Sequence, residues 1–130
     1  MSRSNAAILQ DALTAFGRGD FPAVLAACHE DIACHIPGAN LVSGDYTGHQ
    51  EFLGFFKKLG ELSAGTIKVV PREFFDNGSG DVVVLVTISA ARGGREISFD
   101  AVQVWRFEDG RATSLRYFYA NQAELDAFWV

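Results

Sequence analysis

The sequence predicts an α+β protein in which N-terminal helices pack on one face of a strongly curved antiparallel sheet. Apolar residues recur at helical spacing as far as residue 65 and alternate with a period of two after it. Short turn sequences around Gly78, Gly93 and Gly110 separate the alternating segments, which indicates a meander of antiparallel strands. Helices followed by a meander place the helices on one side of the sheet, and a bent sheet of this kind encloses a cone-shaped interior.

Length and composition indicate one domain over residues 1–130. The chain is 48% hydrophobic and 21% charged, which excludes intrinsic disorder. Its net charge of −5 and the lack of a basic run argue against a nucleic-acid partner. The sequence shows no membrane-length apolar run and no leader pattern, and it has two cysteines. We therefore expect a cytoplasmic protein with reduced thiols and no membrane partner.

Three helices are predicted in the first half. Residues 4–17 carry an apolar stripe of Leu9, Leu13 and Phe16, and Asp20 can cap a short helix over residues 21–28. The sequence Thr47-Gly48-His49-Gln50 fits a capping box. It opens a helix, ending near residue 65, with a wide apolar stripe that consists of Phe52, Phe55, Phe56, Leu59 and Leu62.

The remaining elements are mainly strands. A short strand is expected over residues 32–36, followed by a loop over residues 40–46. Longer strands are expected over residues 66–76, 82–92, 96–107 and 112–119, and a last short helix over residues 121–128. Because a wide aromatic helix covers a bent sheet, we expect a pocket inside the cone.

Gln103 is the one amide on an otherwise apolar strand face. By alternation it shares that face with Ile97, Phe99, Ala101, Trp105 and Phe107. A buried amide without partners costs about 1–3 kcal/mol, so either a neighbouring group or a ligand must satisfy Gln103. If its partners are incomplete, Gln103→Leu should keep or raise stability.

Seven short motifs follow one another along the chain: Gly19-Asp20, Asp31, Pro37-Gly38, Gly44-Asp45-Tyr46-Thr47-Gly48, Val104-Trp105-Arg106-Phe107, Asp109-Gly110-Arg111 and Asp126-Ala127-Phe128-Trp129. In this order they resemble the SnoaL-like branch of the nuclear-transport-factor-2-like superfamily, which includes the ketosteroid isomerases. The resemblance covers nearly the whole chain. It implies a cystatin-like cone, a hydrophobic small molecule as partner and a homodimer formed through the outer sheet face. Such cones host isomerases, dehydratases, cyclases, hydrolases and non-catalytic modules, so the fold alone does not define the chemistry.

The catalytic positions of these relatives are occupied differently here. The general-base aspartate of the ketosteroid isomerases corresponds to Ile36, their oxyanion-hole tyrosine to Ala12 and their protonated aspartate to Gln103. An acid–base aspartate of the polyketide cyclases corresponds to Asn121. Neither an isoleucine nor an amide can accept the proton, so the resemblance implies that the steroid-isomerase route is not used.

His35 and Gln103 are the candidate catalytic residues. Histidine is the side chain type most often used as a general base, and His35 precedes the strand-ending Ile36-Pro37, at the expected mouth of the cone. Strand alternation places it opposite Ile32 and Ile36, so a cavity role requires a bulge. The candidate ligand-binding residues are Ile36, Phe52, Phe56, Phe99, Trp105, Tyr117 and Tyr119.

Three functions remain open: an isomerase, cyclase or dehydratase acting by proton transfer, a non-catalytic binding module, and a dimerisation scaffold with a filled cone. Surplus apolar residues for a dimer are Val82, Val84, Val86, Val102 and Val104. We expect no metal or other cofactor, because the Cys28-His29 and Cys34-His35 pairs cannot converge on one ion.

Overall fold

The computed structural model describes residues 3–130, which contain four helices and six strands. In chain order they are α1 (Asn5–Gly17), α2 (Phe21–Ala26), β1 (Cys28–Ile36), β2 (Gly44–Thr47), α3 (Gly48–Leu62), β3 (Lys68–Asp76), β4 (Asp81–Arg92), β5 (Arg95–Glu108), β6 (Arg111–Tyr119) and α4 (Gln122–Phe128). The predicted α+β class is confirmed, and so are the three helices predicted in the first half and the strands that flank each predicted turn.

All six strands form one sheet in the order β2-β1-β6-β5-β4-β3. The β3–β4, β4–β5 and β5–β6 pairs are antiparallel, as predicted. The β1–β2 pair, which was not predicted, is antiparallel as well. The β1–β6 pair is parallel, which corrects the expectation of a purely antiparallel sheet. Register shifts at Pro71/Glu73 and Arg106/Phe107 mark irregularities that bend long strands, and they help the sheet to curve.

The helix termini are capped partly as predicted. The Ser4 hydroxyl accepts a hydrogen bond from the Ala7 N–H, and the Asp20 carboxylate accepts one from the Ala23 N–H. The prediction of a capping box at the start of α3 is wrong in detail, because the Thr47 side chain accepts no hydrogen bond from the helix backbone. Instead, the Glu51 carboxylate accepts from the Thr47 N–H at 2.8 Å, one residue later than the expected Gln50.

The segment expected to be a loop contains β2. Its residues Gly44–Thr47 pair with Ala33–Ile36 of β1. Glycine and aspartate are turn-formers locally, but pairing with β1 satisfies the backbone groups of this segment and makes it an edge strand.

The core lies between the inner face of the sheet and α3. Gln103 is 1% exposed, and Phe99 and Trp105 are buried beside it, so the predicted inward face of β5 is confirmed. The β4 prediction is wrong: Val82, Val84 and Val86 face inward and are fully buried. The register explains why, since Val84 lies directly opposite Gln103 and so shares its face.

The chain ends in a segment, residues 122–130, that covers one end of the interior; we call it the C-terminal strap. The Arg92 guanidinium donates to the carbonyl oxygens of Val130 and Leu62, at 2.6 and 3.0 Å. Arg95 donates to the carbonyls of Ala127 and Phe128. Inside the strap, Leu125, Phe128 and Trp129 are buried. Two arginines from β4 and β5 therefore hold the strap by its backbone.

Asp126 connects the strap to the loop after β1. Its Oδ1 atom accepts from the Asn40 side-chain amide at 2.7 Å, from Gln122 at 2.9 Å and from the Ala39 N–H at 3.1 Å. These bonds, with that from Asn40 the strongest, lower the pKa of Asp126 below its usual value.

Candidate functional site

A small apolar cavity lies inside the cone, between α3 and the sheet. Its lining residues are Leu13, Phe16, Val24, Phe52, Phe55, Phe56, Leu59, Val69, Gln103, Trp105, Leu115 and Tyr117. Only about 30 Å³ of this cavity is open to the centre of a water molecule. Side chains therefore fill most of the cone.

A second cavity lies under the C-terminal strap, and about 20 Å³ of it is open to the centre of a water molecule. Its walls include Trp129 of the strap together with Phe99 and Tyr119. The two cavities are neighbours, because they share the lining residues Phe55, Leu59, Val69 and Tyr117.

The structure brings most of the predicted ligand-binding residues to these cavities. Phe52, Phe56 and Trp105 line the first cavity and Phe99 and Tyr119 the second. Tyr117 lines both. Ile36 is 1% exposed but lines neither cavity, which corrects its expected role.

Sequence reasoning missed the contribution of α1 and α2 to the first cavity. Leu13, Phe16 and Val24 reach it from those two helices. The signal was present, because Leu13 and Phe16 belong to the apolar stripe of α1, but a stripe alone does not tell which of its members border an empty space.

A chain of hydrogen bonds runs along the polar side of the first cavity. The Trp105 indole N–H donates to Gln103 Oε1 at 2.8 Å, and Gln103 Nε2 lies 2.7 Å from the Tyr117 hydroxyl oxygen. Trp105 is two residues from Gln103 on the same face, and Tyr117 is the β6 residue opposite Gln103. The sequence left open whether a neighbouring group or a ligand satisfies the buried amide of Gln103. In the structure, neighbouring side chains bond to both its oxygen and its nitrogen.

The titratable groups in this region remain protonated at neutral pH. Burial raises the pKa of Tyr117 well above its ordinary value, although the hydrogen bond from Gln103 opposes this rise. Burial also raises the pKa of Tyr119. The Cys34 thiol, on the inward face of β1, has its pKa raised to about 12, mainly by burial. None of these groups supplies a base at neutral pH.

His35 lies on the outer face of the sheet. Its side chain is 55% exposed, and its Nδ1 atom lies 2.6 Å from Asp45 Oδ1 on β2. The register of β1 against β2 is regular from Ala33 to Ile36, so no bulge turns His35 inward. The expectation that His35 and Gln103 share one cavity is therefore wrong.

His35 borders a shallow outer groove instead. Asp45, Thr47, Ser114 and Arg116 line this groove, together with the strand backbone of β1 and β6. The Asp45 and Thr47 side chains reach it because β2 is a strand, so the loop prediction for this segment could not find the groove.

The outer sheet face carries an apolar surface. Val70, Phe75 and Phe118 are 53%, 52% and 52% exposed. Between them lie the half-buried Val83, Leu85, Val102 and Val104. We call these seven residues the outer patch. The outer patch contains Val102 and Val104, as predicted. On β4 it contains Val83 and Leu85 instead of the predicted Val82, Val84 and Val86, which face inward.

A six-stranded curved sheet wrapped around an aromatic helix is the cystatin-like, nuclear-transport-factor-2-like fold. Within it, the chain belongs to the SnoaL-like domain family, whose model matches residues 9–115. No helix in residues 3–130 has the length and apolar character needed to cross a membrane.

Similar proteins match nearly the whole chain. Bal32a, from a soil-derived mobile gene cassette, is 26% identical and superimposes with a TM-score of 0.94 over 97% of this chain and 96% of its own. An NTF2-like protein of unknown function from Burkholderia pseudomallei is 29% identical, with a TM-score of 0.87 over 99% of both chains. An uncharacterised protein of Mycobacterium tuberculosis is 24% identical over 95% of this chain and 94% of its own length.

Proposed function

We propose that the protein binds a small, mainly apolar molecule inside the cone. One observation carries this proposal: a cavity with aromatic and aliphatic walls has a single hydrogen-bonding side, formed by Gln103 and Tyr117. Apolar walls with a few placed polar groups are typical of ligand pockets, because the walls give affinity and the polar groups give orientation.

The geometry favours binding over proton transfer in the cone. General acid–base catalysis needs a group that loses its proton near working pH and lies within hydrogen-bond reach of the substrate. Tyr117 and Tyr119 keep their protons because burial raises their pKa. The histidine expected to act as base, His35, points away from the interior. A non-catalytic binding module is therefore the proposal.

The ligand has to displace side chains as it enters. The open space of about 30 Å³ is enough for one or two water molecules, and a ligand needs more. Phe52, Phe55 and Phe56 form a cluster on α3 with ring centroids 4.4 to 6.4 Å apart. Rotation of these rings would enlarge the first cavity and provide the volume.

Titration with isopropylbenzene tests the proposal, because this hydrocarbon can bind only through apolar contacts. Amide NMR spectra should show saturable shifts at Trp105, Leu115 and Tyr117. Val24→Phe, which fills the first cavity, should abolish these shifts, and Val42→Phe, which narrows only the second, should retain them. No saturable shift in the wild-type protein up to the solubility limit would leave the filled scaffold as the function.

The same proposal includes a homodimer formed through the outer patch. A two-fold interface brings one surface against itself, so it suits a patch that is apolar at the centre and carries both signs of charge beside it. Arg72 donates to the Thr87 hydroxyl at 3.0 Å, and this hydroxyl donates to Asp100 at 2.9 Å, all next to the patch. In a two-fold dimer the Arg72 of each copy can face the Asp100 of the other.

A further inference from the structure

We propose that the Tyr117 hydroxyl selects ligands that carry a neutral hydrogen-bond acceptor, such as the carbonyl oxygen of a ketone, ester or quinone. The inference rests on the proposed binding function and names the chemical class of ligand that the pocket takes. It also assigns to Tyr117 the orienting role that the sequence had assigned to Gln103.

The first step is the orientation of the Gln103 amide. An indole N–H can only donate a hydrogen bond, so the Gln103 atom 2.8 Å from Trp105 Nε1 must be the carbonyl oxygen. The amide nitrogen then points to the other side, toward Tyr117. Trp105 thereby fixes which end of Gln103 faces the tyrosine.

The second step is the direction of the Tyr117 hydroxyl. Gln103 Nε2 can only donate, and it lies 2.7 Å from the Tyr117 oxygen, so the tyrosine accepts this bond. The hydroxyl hydrogen must then point elsewhere. Among residues 3–130, no group accepts a hydrogen bond from the Tyr117 hydroxyl. A donor remains free at the centre of an apolar interior.

The third step is the position of this free donor. Tyr117 is 8% exposed and lines both cavities. Its hydroxyl oxygen lies 2.7 Å from Gln103 Nε2, and Gln103 also lines the first cavity, so the geometry puts the hydroxyl at the wall of that cavity. A buried donor without an acceptor is unfavourable, and a ligand that supplies the acceptor removes this cost. A hydrocarbon leaves the donor unsatisfied. A carboxylate would be penalised, because no cationic side chain lines either cavity.

Matched ligands and matched variants test the inference. Acetophenone and isopropylbenzene have nearly the same shape, but only acetophenone carries an acceptor. Tyr117→Phe should weaken acetophenone binding about five- to tenfold, the scale of one buried hydrogen bond, and change isopropylbenzene binding less than twofold. Tyr46→Phe is the matched control, because the Tyr46 hydroxyl donates to the Val42 carbonyl and Tyr46 lines neither cavity; it should leave both affinities within twofold.

Infrared spectroscopy of the wild-type protein tests the same bond without a mutation. The stretching band of carbonyl-labelled acetophenone should move to lower frequency on binding and should return toward its position in an apolar solvent in Tyr117→Phe. If both ligands lose affinity equally in Tyr117→Phe, or the band does not move, the inference is wrong while the binding function stands. If neither ligand binds the wild-type protein, the binding function itself is wrong.

Discussion

Gly38 lies directly against Asp126, the residue that ties the C-terminal strap to the loop after β1. A Cβ atom built on Gly38 would come within 2.5 Å of Asp126 Oδ1 and even closer to the Gln122 side chain. Gly38 also has a φ of +102°, a conformation that favours glycine. The Pro37-Gly38 motif therefore has a packing reason: the strap needs a residue without a side chain beneath it.

Gly38→Ala should lower the free energy of unfolding by about 1–3 kcal/mol, because the new methyl group strains the backbone and pushes against Asp126 and Gln122. Urea denaturation measures the change. Gly54→Ala is the matched control, because Gly54 is helical and a Cβ there would meet nothing within 4 Å. That control should gain about 0.5–1 kcal/mol. Equal effects at the two sites would show that the strap does not press on Gly38.

The strap should loosen in acid. Asp126 has a folded-state pKa below its usual value of 3.8, mainly because Asn40 donates to the carboxylate. A lowered pKa contributes stability above the unfolded-state value, and this contribution is lost as pH falls through the folded-state value. Carbon-13 NMR should therefore give Asp126 an apparent pKa below 3.8. Asn40→Ala should raise it, whereas an unchanged value would remove Asn40 as the cause.

Gln103→Leu should destabilise the protein by about 1–3 kcal/mol, measured by urea denaturation. The sequence alone predicted a neutral or stabilising effect, on the premise of incomplete partners. The structure gives the amide two partners, so the substitution leaves the Trp105 indole N–H buried and unpaired. In a double-mutant cycle with Trp105→Phe, the combined cost should be smaller than the sum of the single costs. Strict additivity would contradict the coupling.

Phe118→Asp should convert a dimer to a monomer, because it puts a charge on an exposed apolar residue of the outer patch. Light scattering should give twice the chain mass of 14.1 kDa for the wild-type protein and a single chain mass for the variant. Leu41→Asp is the control, since Leu41 is 46% exposed but lies outside the patch. A monomeric wild-type protein at micromolar concentration would overturn the proposed assembly.

The sequence predicted well wherever one strand face was apolar and the other was not. On β5, polar Ser98, Asp100 and Arg106 alternate with the inward residues, so the pattern itself shows which side is buried. β4 reads Val-Val-Val-Leu-Val and is apolar on both faces. Which face of β4 points inward is decided by its pairing with β5, where Val84 lies opposite Gln103. The sequence of β4 alone does not contain this information.

The candidate site was less predictable for a similar reason. The burial of Gln103 followed from alternation, but its bonds to Tyr117 and Trp105 depend on the register between β5 and β6. The outward direction of His35 was the plain result of alternation, and a bulge was invoked to bring it inside. β2 was missed because its partner in β1 lies across a loop, and turn-forming residues gave it no strand signal of its own.

The parallel pairing of β1 with β6 has a consequence for the order in which the chain can fold. β1 is an interior strand and precedes the other five strands in the sequence, yet β6, which occupies its second edge, follows all of them. Until residues 111–119 have left the ribosome, that edge of β1 presents unpaired N–H and C=O groups. We therefore expect nascent or truncated chains that lack β6 to be prone to aggregation, because sheet closure must wait for a contact between distant parts of the sequence.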